Sequence, residues 1–248
     1  MRNIDNKINQ QRKAIIIGAT SGIGKCLVPL LINSGYKVGI TGRRSEKLME
    51  MQSEFGDHVV ILCSDISELS IVVRDIEQLV ETLDGLDLLV ISAGTGDLNS
   101  ALEFEPEKRT IDTNIAGFTL LADWAFNYFK NKKTGHLAAI TSIAGLRGSR
   151  FAPAYNASKA YEVNYLEGLR QKAKHEKLNI SITDIRPGFV KTAMAKGDGQ
   201  FWVASPEKAA KQILRGIKRK CTVVYVTKRW RLIAILFKMM PRWLMDRI

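Results

Sequence analysis

The chain has 248 residues, 46% of them hydrophobic and 25% charged, with a formal net charge of +12. That length suits one large α/β domain or two small ones. No Pro/Ser/Gly-rich stretch, internal repeat or low-complexity tract divides it, so a single domain over residues 1–248 is expected, with a core at about 13–227 and a tail at 228–248. Spanning a bilayer takes roughly 20 consecutive apolar residues, and no segment reaches that. The polar first residues hold no apolar signal core. Three scattered cysteines (Cys26, Cys63, Cys221) and three histidines (His58, His136, His175) make neither a disulfide framework nor a metal cluster. A metal-free protein of the reduced cytoplasm is expected.

Apolar, β-branched runs alternate with amphipathic ones along the chain. Residues 13–18 (KAIIIG) read as a buried strand, followed by a helix over 25–34 that Gly35 stops. A second strand covers 37–43 (KVGITGR), and a helix over 45–55 takes Ser45 as its N-cap. The third strand is 58–64 (HVVILCS), the next helix 68–83 and the fourth strand 86–93 (LDLLVISA). Residues 106–130 read as one long helical stretch, interrupted near Gly117. Strand five (136–142), a long helix (155–176), strand six (180–186), a helix (206–219) and strand seven (222–227) complete the core. Such alternation predicts an α/β, doubly wound architecture: a seven-stranded parallel sheet flanked by helices, with ligands at the carboxyl ends of the strands.

Gly18, Gly22 and Gly24 fall where strand one meets the next helix. Glycines there permit a tight turn, backbone approach to a pyrophosphate and close helix packing, and the helix N-terminus offers N–H groups to phosphates. Thr20 and Ser21 add hydroxyls. The spacing is G-x-x-x-G-x-G, which a purely structural turn would also satisfy. NAD binders usually carry an acid about 20 residues further on. Here strand two ends Ile40-Thr41-Gly42-Arg43-Arg44, with no acid and two arginines. Guanidinium pairs well with phosphate, so NADP(H) is expected, with Arg43 on the phosphate and Arg44 stacked on adenine; the alternative is two solvated arginines.

The long helix after strand five begins Tyr155-Asn156-Ala157-Ser158-Lys159, with Ser142 thirteen residues before the tyrosine. Positions i and i+4 share a helix face, so a phenol lies beside an ammonium. A fixed positive charge favours the phenolate and makes a tyrosine a usable general acid or base near neutral pH.

With these pieces in place, the chain resembles the short-chain dehydrogenase/reductase family, a single-domain Rossmann fold, from about residue 13 to 192 and again near strand seven. The glycine turn, Asp65, Asn114, Ser142, Tyr155, Lys159 and Pro187-Gly188 fall in family order and spacing. The resemblance implies that Tyr155 exchanges a proton with the substrate oxygen and that Ser142 hydrogen-bonds it. It implies that Lys159 holds the nicotinamide ribose and that Asn114 supports a water chain to Lys159. It places Gly18, Thr20, Ser21, Gly22, Ile23, Gly24, Arg43, Arg44, Asp65, Ile66, Ala93 and Gly94 along the rest of the dinucleotide. Pro187, Gly188, Val190 and Thr192 would border the nicotinamide. One departure is Ile91-Ser92 where many members carry two asparagines, a change that bears on local sheet stability more than on chemistry.

Residues 193–203 would cover the substrate. Met194, Phe201 and Trp202 give this segment apolar mass, and Gly197 and Gly199 give it hinge freedom, which suggests an apolar substrate or a core under the loop. Arg147 and Arg150 read as solvated or as partners of an acidic head group. The tail concentrates charge: residues 228–247 hold six basic residues and one acid. Pro241 divides it into two short helices. An amphipathic, basic, tryptophan-bearing tail either lies on a membrane surface or packs on the body or a second subunit. No nucleic-acid recognition motif is present, so nucleic acid is not expected. The functional expectation is an enzyme interconverting a hydrophobic ketone and a secondary alcohol, as a homodimer or homotetramer. The rival is a non-catalytic dinucleotide-binding sensor or scaffold.

Overall fold

In the computed structural model, which describes residues 11–194 and 200–245, the first strand shows why the sheet is covered on both faces. Along β1 (Arg12–Ile17), Ala14 and Ile16 point into one apolar layer, while Ile15 and Ile17 point into the other. Side chains alternate across a strand, so a run without polar residues has two apolar faces and needs a helix layer on each.

The other strands are β2 (Tyr36–Gly42), β3 (Val59–Cys63), β4 (Leu88–Ile91), β5 (Thr134–Ile140), β6 (Asn179–Pro187) and β7 (Val223–Val226). All pair in parallel, in the order β3-β2-β1-β4-β5-β6-β7. Chain order reverses between β1 and β4, which is where a doubly wound sheet opens a ligand crevice. One face is covered by α1 (Gly22–Ile32), α2 (Ser45–Phe55) and α7 (Pro206–Lys218), the other by α3 (Val72–Leu83), α5 (Phe118–Lys132) and α6 (Pro153–His175).

Three local details depart from the expectations. Arg44, not Ser45, occupies the N-cap of α2, and no side chain caps that helix. The helix expected over 68–83 begins at Val72, after turns at 68–71. The long stretch around 106–130 is α4 (Phe104–Ile111), a π turn over Asp112–Gly117, and α5. The interruption near Gly117 is therefore a widened turn and not a break. Single π turns occur at functional positions because they re-aim side chains out of the regular helical array.

The tail forms α8 (Trp230–Met239) and α9 (Arg242–Met245), divided at Pro241 as expected. No helix among the described residues is long and apolar enough to cross a membrane.

Candidate active site

At the β1–β4 switch point the chain makes a cradle out of backbone. A Cβ on Gly24 would lie 2.3 Å from the Gly18 carbonyl oxygen, and one on Gly18 would lie 2.6 Å from the Ala93 nitrogen. Gly18 (φ +84°) and Gly22 (φ +55°) take left-handed conformations that side chains disfavour. Thr192 closes the far side, its Cγ2 3.1 Å from where a Gly22 Cβ would sit. The first turn of α1 holds no acid, and Ser21 at its N-cap makes no side-chain cap, so the N–H groups at this end meet no negative charge from the protein. Such a cradle fits the pyrophosphate of a dinucleotide.

The two arginines after β2 divide the neighbouring space. Arg44 turns back to the glycine turn and donates to Thr20 Oγ1 from Nε (3.2 Å) and Nη2 (2.8 Å). Arg43 reaches Asp65 at 3.5 Å and is mostly exposed. Burial opposes ionisation of the Asp65 carboxyl, but hydrogen bonds from Ser67 and the charge of Arg43 hold it below the usual range. The guanidinium nearest the phosphate cradle is thus that of Arg44, while Arg43 stands at the Asp65 edge. Ile66 is buried, and its carbonyl oxygen lies 2.2 Å from a Cβ placed on Gly117.

On the other side of the switch point, Asn114 is fully buried on the π turn. Its Oδ1 accepts from Thr95 N (2.9 Å), and its Nδ2 donates to Thr95 O (2.7 Å) and Ser158 Oγ (2.9 Å). These bonds tie the segment after β4 to the first turns of α6. That helix starts with Pro153 in its first turn, and Glu107 on α4 accepts from the Ala154 N–H at 2.9 Å. Asn156 donates to the carbonyls of Ala144 (3.0 Å) and Arg147 (2.8 Å), fastening to α6 the 3-10 turn Ile143–Leu146 that follows Ser142. Ser142 is buried at the end of β5, and its Oγ accepts from Ala144 N (3.0 Å).

Tyr155 and Lys159 project from one face of α6, the Lys159 Nζ 5.9 Å from the Tyr155 ring centroid. Gly96 leaves room for that ring: a Cβ there would lie 2.3 Å from Tyr155 Cδ2. Lys159 is buried and its Nζ reaches both oxygens of Glu162 (2.8 and 2.9 Å) and the carbonyl of Ile140 (3.3 Å). A Cβ on Gly94 would lie 3.3 Å from Lys159 Nζ and 3.4 Å from Asn114 Oδ1, so these three meet at one point. Burial pushes the Glu162 carboxyl from its ordinary 4.5 up to about 7, against the pull of Lys159.

The family model for short chain dehydrogenases matches residues 12–201. The chain belongs to that family. It is 33% identical to an uncharacterised oxidoreductase of Myxococcus xanthus over 74% of each chain, and 31% identical to one of Staphylococcus aureus over 73% of this chain and 79% of the other. Two solved structures share the fold at 22% and 21% identity, each covering 88% of this chain and 97% of the other. They are ElxO with NADP bound (TM-score 0.76) and a tyrosine-to-phenylalanine variant of ElxO with NADPH bound (TM-score 0.77).

Beyond β6 lies the region expected to border the substrate. Gly188 donates its N–H to Val226 O (2.7 Å), and Trp230 lies directly on it, with Cε2 2.0 Å from where a Cβ would be. Trp230 is buried and gathers Phe189, Phe201 and Trp202 at ring-centroid distances of 5.6, 4.9 and 5.8 Å. Among the described residues its buried indole N–H has no hydrogen-bond partner. Val190 is buried and bridges Ala204. Pro187 ends β6 opposite Val226. The hinge glycines Gly197 and Gly199 lie outside the described residues.

Arg147 is not simply solvated. Its Nε donates to Phe237 O (2.6 Å) and its Nη2 to Met240 O (2.8 Å), at the carboxyl end of α8. Sequence reasoning also passed over Glu162, Gly96 and Glu107. The i,i+3 spacing of Lys159 and Glu162 was the one available signal. Among the described residues no group of acidic, His or Cys side chains could hold a metal.

Proposed function

We propose that the protein is an NADP(H)-dependent oxidoreductase that interconverts a ketone and a secondary alcohol, acting on a hydrophobic carbonyl compound. The observation that carries this reading is the meeting of Tyr155, Lys159 and Asn114, with the Ser142 turn fastened to the same helix, beside a backbone phosphate cradle. For the cofactor, two arginines and no acid follow β2, and the two ElxO structures hold NADP and NADPH.

The bound nicotinamide supplies the hydride. The chain's residues do the rest. The glycine turn and the N-terminus of α1 receive the pyrophosphate, with Thr20, Ser21 and Ile23 around it. Arg43, at the Asp65 edge, pairs with the additional phosphate, and Arg44, held on Thr20, stacks on the adenine. Asp65, Ile66, Ala93 and Gly94 line the adenosine. Tyr155 gives its hydroxyl proton to the carbonyl oxygen during reduction and takes it back during oxidation. Ser142 donates a second hydrogen bond to that oxygen where negative charge develops. Lys159 holds the nicotinamide ribose, and Asn114 supports a water chain that returns protons through it. Pro187, Gly188, Val190 and Thr192 border the nicotinamide. The aromatic cluster over Gly188 favours an apolar substrate. The remaining parts of the reading are a homodimer or homotetramer built through the helices near 106–130 and 155–176, in the cytoplasm, with membrane-surface contact through 228–248.

NADPH oxidation across a panel of hydrophobic ketones tests the proposal. Wild type is expected to turn over at least one, and Tyr155→Phe to lose at least ~100-fold in kcat while still binding NADPH. NADPH binding without turnover on any ketone would favour the sensor or scaffold.

A further inference from the structure

Helix α8 is apolar on two faces, and the body of the protein uses only one. Trp230 and Ala234 face inward, each 1% exposed. On the outer side Leu232 (67%), Ile235 (48%), Leu236 (51%) and Met239 (77%) form a stripe at i, i+3, i+4 and i+7, and Trp243 on α9 continues it at 62%. Packing therefore settles the inner face alone. The outer stripe is a contiguous apolar surface of the kind that meets a partner.

Its position ties it to the substrate opening. At the amino end of α8, Trp230 packs against Phe201 and Trp202, which are themselves 47% and 40% exposed. At the carboxyl end, Arg147 holds the helix to the turn that follows Ser142.

Charge selects the partner. Lys228, Arg229 and Arg231 are exposed at the start of the helix, and residues 228–247 carry six basic residues against one acid. Two copies meeting through this face would set like charges against each other, which opposes self-association. An anionic lipid surface offers both things the face lacks: apolar depth for the stripe and negative charge for its basic flank. An exposed tryptophan suits the interfacial region. Ten residues make a helix about 15 Å long, so it lies along the surface and does not cross.

We infer that the outer face of α8 and α9 docks on an anionic bilayer surface and sets the substrate opening against it, so that a membrane-dissolved carbonyl compound enters directly. The inference rests on the carbonyl-reductase reading for its consequence and on the tail alone for the docking.

Co-sedimentation with vesicles tests the docking without any substrate. Wild type is expected to pellet with phosphatidylglycerol/phosphatidylcholine vesicles, to bind phosphatidylcholine alone at least ~10-fold more weakly, and to be released as salt rises. Leu236→Glu and Met239→Glu are expected to abolish pelleting while leaving the reduction of a short, water-soluble ketone unchanged. Quenching of tryptophan fluorescence by brominated lipid, reduced in Trp243→Phe, checks the same contact should the glutamate variants fail to fold. Wild type that stays in the supernatant with every vesicle would overturn the inference, as would a Leu236→Glu variant that only converts a dimer to a monomer in light scattering. Docking without turnover of any ketone would leave the lipid contact standing and remove the reductase reading.

Discussion

The glycine turn after β1 and the aromatic cluster after β6 lie at the same edge of one sheet but are built from different material. The first is backbone against backbone: Gly18 against Ala93, Gly24 against the Gly18 carbonyl. The second is side chain against side chain: Trp230 on Gly188, with Phe189, Phe201 and Trp202 around it. A backbone cradle serves one constant ligand part, a pyrophosphate, and leaves little room for variation. A cluster of aromatic side chains can be resized by substitution, which suits the part of the molecule that we propose meets the substrate.

The largest effect should come from removing the centre of the side-chain region. Trp230→Ala empties a buried indole site and is expected to cost about 4 kcal/mol, read as a fall in Tm, with NADPH affinity in the folded fraction nearly retained. If NADPH affinity fell with it, the two regions would be one unit and the contrast would fail.

A pair of glycines sharpens the same contrast. In Gly24→Ala the new Cβ meets the Gly18 carbonyl, which cannot move without unmaking the turn, so stability should drop by ~3 kcal/mol and NADPH affinity at least ~100-fold. In Gly188→Ala the clash is with the Trp230 side chain. The expected result there is a shifted indole and altered ketone preference, with NADPH affinity changed less than ~5-fold, measured by fluorescence titration and steady-state kinetics.

Between these lies the edge proposed to select the cofactor. Arg43→Ala is expected to reduce the preference for NADPH over NADH by roughly 30-fold, and Arg44→Ala by less, since the additional phosphate belongs to the adenosine ribose on the Asp65 side, where Arg43 stands, while Arg44 is held on Thr20 at the glycine turn. Equal Kd ratios in wild type and both variants would remove NADP(H) selection from this edge.

The smallest effect concerns pH. Burial raises the Glu162 carboxyl from 4.5 to about 7, so the folded protein keeps a proton that the unfolded chain has released, and stability falls as pH rises through that window. Burial lowers His136 from 6.5 to about 4, so stability also falls as pH drops below 6.5. Glu162→Gln removes the first slope and leaves the second. Between about pH 4.5 and 6.5 the two slopes oppose each other in wild type, so the Tm of the variant, which keeps only the His136 slope, should rise with pH across that window more steeply than wild type. Parallel Tm–pH curves for wild type and variant would contradict the assignment of that slope to Glu162.

The glycine turn was legible because its constraints are local. Gly18, Gly22 and Gly24 sit within seven residues, and the run Ala14–Ile17 that precedes them is apolar. The π turn at Asn114 could be read only as an irregularity near Gly117, since the widening depends on how Asn114 meets Thr95 and Ser158. The partners of Arg147 lie 90 and 93 residues away, and backbone carbonyls carry no sequence signature. Glu162 looked like one more polar residue of a long helix, because burial of that face is set by β5 and β6 beneath it and not by its neighbours in the chain. The tail's division at Pro241 was legible from proline chemistry, but its inner and outer apolar faces became distinct only once Trp230 was seated on Gly188.

The central claim is that the two regions meet to pass a hydride from a nicotinamide to a carbonyl carbon while Tyr155 supplies the proton. The most direct test is a single turnover with NADPH carrying deuterium at the transferable position and a hydrophobic ketone, followed by mass spectrometry of the product. The expected result is an alcohol bearing the deuterium on the former carbonyl carbon with wild type, and at least ~100-fold slower formation of it with Tyr155→Phe at equal cofactor occupancy. Label transfer at the wild-type rate in Tyr155→Phe would contradict the account.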